Sequence, residues 1–136
     1  MSNLIDPKEE IETLYRRFLS AWNSRDFEGV ARCFSEPAFY VLPGVDVPVP
    51  NRASFVDLLE KVFANLEADG FSHTEVGKIS ARACGEHLAI VDAKAVARLR
   101  HDGSSIEVID GHYIARKFDD AWRFTVAVSC VRGWEG

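Results

Sequence analysis

Two histidines and two aspartates in the C-terminal half of the sequence have the chemistry needed to move protons. The segments in which polar and apolar residues alternate contain His73, Asp92, Asp110 and His112. A neutral imidazole beside a carboxylate is a common general base, because the carboxylate orients the ring through its second nitrogen. We predict that His73 or His112 acts as a base. Asp110 or Asp92 would orient it. The pairs Asp92–His112 and Lys94–Asp110 are equally well explained as ordinary cross-strand pairs at a sheet end in water, an interpretation that the sequence leaves open.

One tyrosine and several large side chains complete the predicted site. Tyr15 is the polar member of an apolar stripe on the first predicted helix, where its hydroxyl could stabilise a developing enolate oxygen. Tyr15 and Trp22 recur at helical spacing, so they are first of all candidates for the core. The further residues that we expect to line a pocket are Trp22, Asn23, Tyr40, Phe55, Asp92, Phe124 and Val126.

Motifs for other chemistries are missing from the sequence. It contains no His-Glu-x-x-His, no cysteine cluster, no glycine-rich phosphate loop and no Gly-x-Ser-x-Gly elbow. We therefore expect neither a metal site nor a nucleotide site, and we predict that any reaction proceeds without a cofactor.

The composition is that of an ordinary globular domain. The chain has 136 residues, of which 47% are apolar and 27% charged, and its net charge is -5. Nucleic acids and anionic membranes attract clustered Lys and Arg, so we expect neither as a partner. Three scattered cysteines and the lack of an apolar run of ~18 residues favour a cytoplasmic protein. We predict one domain over residues 1–136.

Three helices are predicted in the first half of the chain. Apolar residues at three- and four-residue spacing over residues 11–22 predict an amphipathic first helix. A short second helix follows a cap at Asp26. A strand at residues 39–42 and an extended, proline-containing loop at residues 43–53 lead to a third helix at residues 54–66.

Everything after Gly70 is predicted to be strand. Turn-forming residues separate four segments, at residues 71–84, 87–100, 105–118 and 122–132. Helices followed by an antiparallel meander indicate an α+β fold, in which the helices pack on one face of a curved antiparallel sheet.

The strand register decides which side chains face the helices. If each Asp-containing turn has three residues, Phe118 pairs with Trp122 and Arg100 pairs with Ser104, which places Asp92 opposite His112. That register turns a set of polar side chains toward the helices, namely His73, Glu75, Asp92, Lys94, Asp110, His112 and Arg116. On the predicted strand at residues 122–132 it turns Trp122, Phe124, Val126, Val128 and Cys130 to the same face. If the last turn has two residues, Asp110 and His112 move to the outer face instead.

The face of the sheet away from the helices is predicted to join two copies of the chain. In the three-residue register it carries small or flat side chains, namely Ala93, Ala95, Ala97, Ile109 and Tyr113. Such a face suits sheet-on-sheet packing, so we expect a homodimer through it.

Three segments carry a family resemblance. They are FLSAWNSRDFEGV at residues 18–30 with Cys-Phe at 33–34, NRASF at residues 51–55, and GHYIARKFDDAWRF at residues 111–124. They resemble the nuclear-transport-factor-2-like (NTF2-like) superfamily, in particular its polyketide-cyclase-like (SnoaL-like) branch. The resemblance implies a cone-shaped, cystatin-like α+β roll with a pocket between helices and sheet, and usually a homodimer.

The same resemblance implies site residues by position. Isomerase-like members carry a tyrosine on the first helix, which Tyr15 matches, and a carboxylate on a late strand, which Asp110 matches loosely. Their other carboxylate falls near Leu42 of this chain. Dehydratase-like members use a histidine at the start of the meander, which His73 resembles. Their aspartate at the end of the first helix is replaced here by Asn23.

The sequence therefore predicts a domain that binds a small hydrophobic organic molecule. As an enzyme, it would be a cofactor-free isomerase, dehydratase or cyclase that works by proton transfer. Two alternatives remain open. In one, it is a non-catalytic ligand-binding or dimerisation module with structural Asp–His pairs. In the other, it binds a partner through an apolar rim formed by Val45, Val47 and Val49.

Overall fold

Three helices and seven strands make up the part of the chain that this computed structural model describes, residues 7–119 and 121–131. The helices are α1 (Lys8–Asn23), α2 (Phe27–Arg32) and α3 (Arg52–Ala68). The strands are β1 (Phe34–Leu42), β2 (Val45–Val49), β3 (Phe71–Glu75), β4 (Lys78–Ala83), β5 (Leu88–Arg100), β6 (Ser105–Phe118) and β7 (Ala121–Val131). None of the described helices is long and apolar enough to span a membrane.

Local sequence signals explain where the second and third helices begin. The Asp26 side chain accepts from the Gly29 N–H at 2.9 Å and caps α2, as predicted. At α3 the cap is Asn51, whose side chain accepts from the Ser54 N–H at 2.9 Å, while the Ser54 hydroxyl faces the Asn51 N–H. The third helix therefore begins earlier than the predicted start at residue 54.

The strands form one curved, unclosed sheet in the order β2-β1-β7-β6-β5-β3, with β4 also paired to β5. The predicted α+β fold is confirmed, with the helices on one face. The sheet is mixed rather than antiparallel throughout, because β1 runs parallel to β7. The loop predicted at residues 43–53 contains β2, an edge strand that pairs only with β1 and therefore tolerates Pro48.

The last turn has two residues between paired positions, so the three-residue turn was wrong. Phe118 pairs with Ala121, and Lys117 pairs with Trp122. Asp119 adopts a φ of +52°, a left-handed conformation that a short polar side chain tolerates better than alanine does. The preceding turn does have three residues, since the Arg100 N–H donates to the Ser104 carbonyl at 2.7 Å.

A β-bulge interrupts β5 where two residues, Lys94 and Ala95, lie between the pairs Ala93–Gly111 and Val96–Ile109. Ala95 has a φ of +56°. The bulge separates β3 from β4, which were predicted as one strand, because the Gly77 N–H between them donates to the carbonyls of both Lys94 and Ala95 at 3.0 and 3.1 Å. Side chains on β5 therefore change face at this point.

The faces of β6, and those of β5 up to its bulge, are the reverse of the prediction, whereas Val96 and Arg98 beyond the bulge face the helices as predicted. Ala93 and Tyr113 are buried beneath the helices, and Ile109 packs against the same core. The register Asp92–His112 is confirmed, but both residues lie on the outer face, the sheet surface away from the helices. That outer face carries Phe39, Asp92, Asp110, His112, Ile114, Val126 and Val128. Val126 joins it because an irregularity in β7 follows Phe124.

Candidate ligand cavity

A cavity of about 170 Å³ lies between α1, α3 and the helix-facing side of the sheet. We call it the helix–sheet cavity. Its walls are mostly apolar or aromatic, and its lining consists of Tyr15, Phe18, Leu19, Trp22, Tyr40, Leu42, Leu58, Leu59, Val62, Thr74, Val96, Arg98, Ile109, Tyr113 and Ser129. Of the residues that the sequence predicts for the site, Tyr15, Trp22 and Tyr40 are brought together here.

The hydroxyls of Tyr15 and Tyr113 interact with each other on the wall of the cavity. The two rings meet edge to face, with centroids 5.5 Å apart. Burial raises the pKa of Tyr15 to about 12 and raises the pKa of Tyr113 well above its usual value. Both phenols therefore keep their protons at neutral pH and act as hydrogen-bond donors or acceptors, not as bases.

Room for Tyr113 comes from a glycine two residues earlier on the same face of β6. A Cβ built on Gly111 would lie 2.9 Å from the Tyr113 hydroxyl oxygen and 3.0 Å from a ring carbon. On its other side the Tyr113 ring packs on Phe124 with centroids 4.9 Å apart. Phe124 is fully buried in the core and does not line the cavity.

The C-terminal end of α1 is clamped to β3 beside the cavity. Asn23 donates from Nδ2 to the Thr74 carbonyl at 2.9 Å and accepts from the Thr74 N–H at 2.8 Å. Trp22 Nε1 donates to Thr74 Oγ1 at 3.2 Å. Asn23, which was expected in the pocket, therefore holds the backbone of a lining residue and does not line the cavity itself.

One charged side chain, Arg98, lies among the described residues that line the cavity. Its Nη1 is 2.9 Å from Glu107 Oε1, and the side chains are 19% and 44% exposed, respectively. Arg98 lies opposite Thr74 on β3. The β5 bulge accounts for this position, because without it Arg98 would fall on the other face of the sheet.

The predicted bases lie away from the cavity. His112 Nδ1 is 2.7 Å from Asp92 Oδ1 on the outer face, where both side chains are about one-third exposed. His73 is paired across the strand with Leu99, and its ring nitrogens are near Ser72 at 3.1 Å and Glu75 at 3.4 Å. The two-residue last turn explains the position of His112, as the alternative register implied.

Asp110 lies on the outer face, where it binds a backbone N–H of the β5 bulge. Its Oδ1 accepts from the Ala95 N–H at 3.0 Å, and Lys94 Nζ is 3.9 Å from its other oxygen. Two other residues expected in the pocket also lie elsewhere. Phe55 is buried against Phe34 with ring centroids 4.6 Å apart, and Val126 pairs with Ile114 on the outer face.

Sequence reasoning missed Arg98, Tyr113, Thr74 and Ser129 as site residues. For Tyr113 the missed signal was a shared parity on β6, since Ile109, Gly111, Tyr113 and Ala115 alternate with Asp110, His112, Ile114 and Arg116. Within residues 7–119 and 121–131, no group of three or more His, Cys, Asp or Glu side chains is arranged to hold a metal ion.

Comparisons with known proteins identify a family and similar folds. Residues 8–131 match the family model described as NTF2-like protein (DUF6841). An NTF2-like protein with a cystatin-like fold from Novosphingobium aromaticivorans superposes with a TM-score of 0.79 at 21% identity, over 94% of this chain and 83% of its own. No curated protein matches the chain.

Two further solved structures share the architecture. A domain of unknown function with a cystatin-like fold from Nostoc punctiforme gives a TM-score of 0.73 at 20% identity, over 93% of this chain and 77% of its own. A ketosteroid isomerase-like protein from Erwinia carotovora atroseptica gives 0.69 at 14% identity, over 93% and 96%. At these identities the likeness concerns the fold.

Proposed function

The chain belongs to the NTF2-like family described as DUF6841, and we propose that its helix–sheet cavity binds a small hydrophobic organic molecule. Membership confirms the predicted superfamily, whereas assignment to the SnoaL-like branch stays a prediction. The observation that carries the proposal is a cavity of about 170 Å³ with apolar walls and a few polar groups. That combination is typical of small-molecule sites.

The volume limits the size of the ligand. An apolar cavity of ~150 Å³ in another protein admits benzene, so a cavity of about 170 Å³ suits a molecule built on a single ring. Edge-to-face contacts from Tyr15, Trp22 and Tyr40 would favour an aromatic or alicyclic ring. The hydroxyls of Tyr15 and Tyr113 would bond an oxygen on that ring.

The polar groups suit binding better than proton transfer. The described residues that line the cavity include no Asp, Glu or His, and the phenol of Tyr15 has a pKa of about 12. The predicted bases, His73 and His112, lie outside the lining. We therefore propose binding without acid–base chemistry by the lining residues, which corresponds to the non-catalytic ligand-binding module that the sequence left open.

Calorimetric titration with neutral single-ring compounds tests this proposal. Benzyl alcohol, phenol and cyclohexanol should bind the wild-type protein and should bind Val62→Trp at least about tenfold more weakly, because the indole fills the cavity. Val56→Trp is the matched control, since Val56 lies on the same helix but outside the lining. Equal binding to both variants, or no binding to the wild type, would contradict the proposal.

We also propose that the outer face joins two copies of the chain. Phe39 and Ile114 on this face are 43% and 40% exposed, which is unusual for large apolar side chains. Val126 pairs with both of them on neighbouring strands. Ala93, which was expected at such an interface, is buried beneath the helices instead, because the faces of β6 and those of β5 up to its bulge are reversed.

Sedimentation velocity tests the self-association. Ile114→Lys should sediment as a monomer at concentrations where the wild type is a dimer, because a buried unpaired charge is costly. Val45→Lys should leave the dimer intact, since Val45 is 52% exposed on the edge strand β2 and pairs with a cavity residue, Leu42. A monomeric wild type would refute self-association.

A further inference from the structure

We infer that the ligand of the helix–sheet cavity carries a carboxylate, which the guanidinium of Arg98 binds. This inference rests on the proposed function and names the chemical class of its ligand. It starts from the charge of Arg98, the one charged residue among the described residues that line the cavity.

The guanidinium of Arg98 has donors left over. A guanidinium carries five N–H donors, and within the described residues Arg98 forms an ion pair with Glu107, whose Oε1 is 2.9 Å from Nη1. None of its nitrogens is among the buried atoms without a partner. The remaining N–H groups therefore face accessible space, and the side chain reaches the cavity.

Thr74 adds a second donor beside Arg98. The two residues are cross-strand neighbours, and Thr74 is 5% exposed. Its oxygen accepts from Trp22 Nε1 at 3.2 Å, so its own hydrogen can be donated to a ligand. The Ser129 hydroxyl on β7 also lines the cavity. These groups together favour an acceptor with negative charge.

A carboxylate fits this donor set better than a larger anion does. Its two coplanar oxygens match the fork of a guanidinium, and the charge strengthens each hydrogen bond. A cavity of about 170 Å³ must also hold the apolar body of the ligand. Glu107 is 44% exposed, so it remains solvated when Arg98 turns toward a ligand.

Calorimetry with matched ligand pairs tests the inference. The pairs are benzoate with benzyl alcohol, and cyclohexanecarboxylate with cyclohexylmethanol. Each carboxylate should bind the wild-type protein at least about tenfold more tightly than its alcohol. Arg98→Met should remove that preference while it keeps the affinity for the alcohols. Arg98→Lys should retain a part of it, because an ammonium lacks the planar fork.

Arg116→Met is the control, because Arg116 is an exposed arginine on the other side of the sheet. It should bind every ligand as the wild type does, and circular dichroism should show that all three variants are folded. Alcohols that bind as well as carboxylates would overturn the inference and leave the proposed function standing. A wild type that binds neither member of a pair would overturn both. Loss of the carboxylate preference in Arg116→Met would overturn the assignment to Arg98.

Discussion

Asp110 accepts a hydrogen bond from the backbone N–H of Ala95, with 3.0 Å between Oδ1 and the nitrogen. Ala95 lies in the β5 bulge with a φ of +56°, a conformation that costs an alanine about 1 kcal/mol. The Gly77 N–H donates to the carbonyls of Lys94 and Ala95 in the same bulge. The bulge turns Val96 and Arg98 into the cavity. The Asp110 carboxylate on the outer face therefore helps to position the Arg98 guanidinium on the opposite face of the sheet.

Removal of this acceptor should destabilise the protein. Asp110→Ala leaves the partly buried N–H of the bulge without this acceptor, which we expect to cost about 1–3 kcal/mol of the free energy of unfolding. Asp110→Asn keeps an oxygen and should cost less. Urea denaturation measures both. Asp57→Ala, an exposed position on α3, should change the free energy of unfolding by less than ~0.5 kcal/mol. Equal stabilities of Asp110→Ala and Asp57→Ala would disprove this role.

We predict that Asn23 stabilises the fold by joining the end of α1 to β3. Asn23→Ala loses both hydrogen bonds to the Thr74 backbone, and we expect it to lower the free energy of unfolding by about 1–3 kcal/mol. Asn23→Asp should also be destabilised, because it sets an oxygen against the Thr74 carbonyl where an N–H now donates. Thermal unfolding in parallel with the exposed Ser20→Ala variant measures the effect. Wild-type stability of Asn23→Asp would show that the clamp is unimportant.

Gly111 should tolerate no larger side chain while Tyr113 is present. A methyl group there would lie 2.9 Å from the Tyr113 hydroxyl, so Gly111→Ala must displace the ring at a cost of about 1–3 kcal/mol. Because Tyr113 lines the cavity, ligand affinity should fall as well. A double-mutant cycle with Tyr113→Val isolates the clash. An unchanged cost of Gly111→Ala in that background would rule out Tyr113 as its cause.

The raised pKa of Tyr15 predicts a loss of stability in alkali. An unfolded tyrosine ionises near pH ~10, whereas burial holds the pKa of Tyr15 at about 12. Below pH ~10 both states are protonated, and between ~10 and 12 only the unfolded state ionises, so the free energy of unfolding falls. Tyr15→Phe should show a shallower fall in urea titrations from pH 8 to 11. Identical slopes in the two proteins would contradict the assignment.

The fold could be predicted from the sequence because its signals are local and repeated. Helical spacing over residues 11–22 and the turn residues after Gly70 specify elements whatever their partners are. The register Asp92–His112 was also predictable from chemical complementarity. The three-residue turn ending at Gly103 gave the right connection because glycine adopts its φ of +88° freely.

The site could not be predicted to the same depth, because a one-residue change reverses every face of a strand. The last turn has two residues where three were predicted, with Asp119 in its left-handed conformation, and this moves Asp110 and His112 outward. The bulge at Ala95 depends on Gly77 and Asp110, which are distant in the sequence. No periodicity reveals such a feature, so the role of Arg98 became visible only in three dimensions.

The binding of a ligand in the helix–sheet cavity is tested most directly by mapping which residues respond to that ligand. Backbone amide spectra of the isotope-labelled wild-type protein, titrated with benzyl alcohol, report this residue by residue. We predict saturable shifts at Thr74, Val96 and Ser129, which line the cavity, with little change at His112 and Val128 on the outer face. Shifts confined to the outer face, or none at saturating ligand, would contradict the claim that the helix–sheet cavity is the binding site.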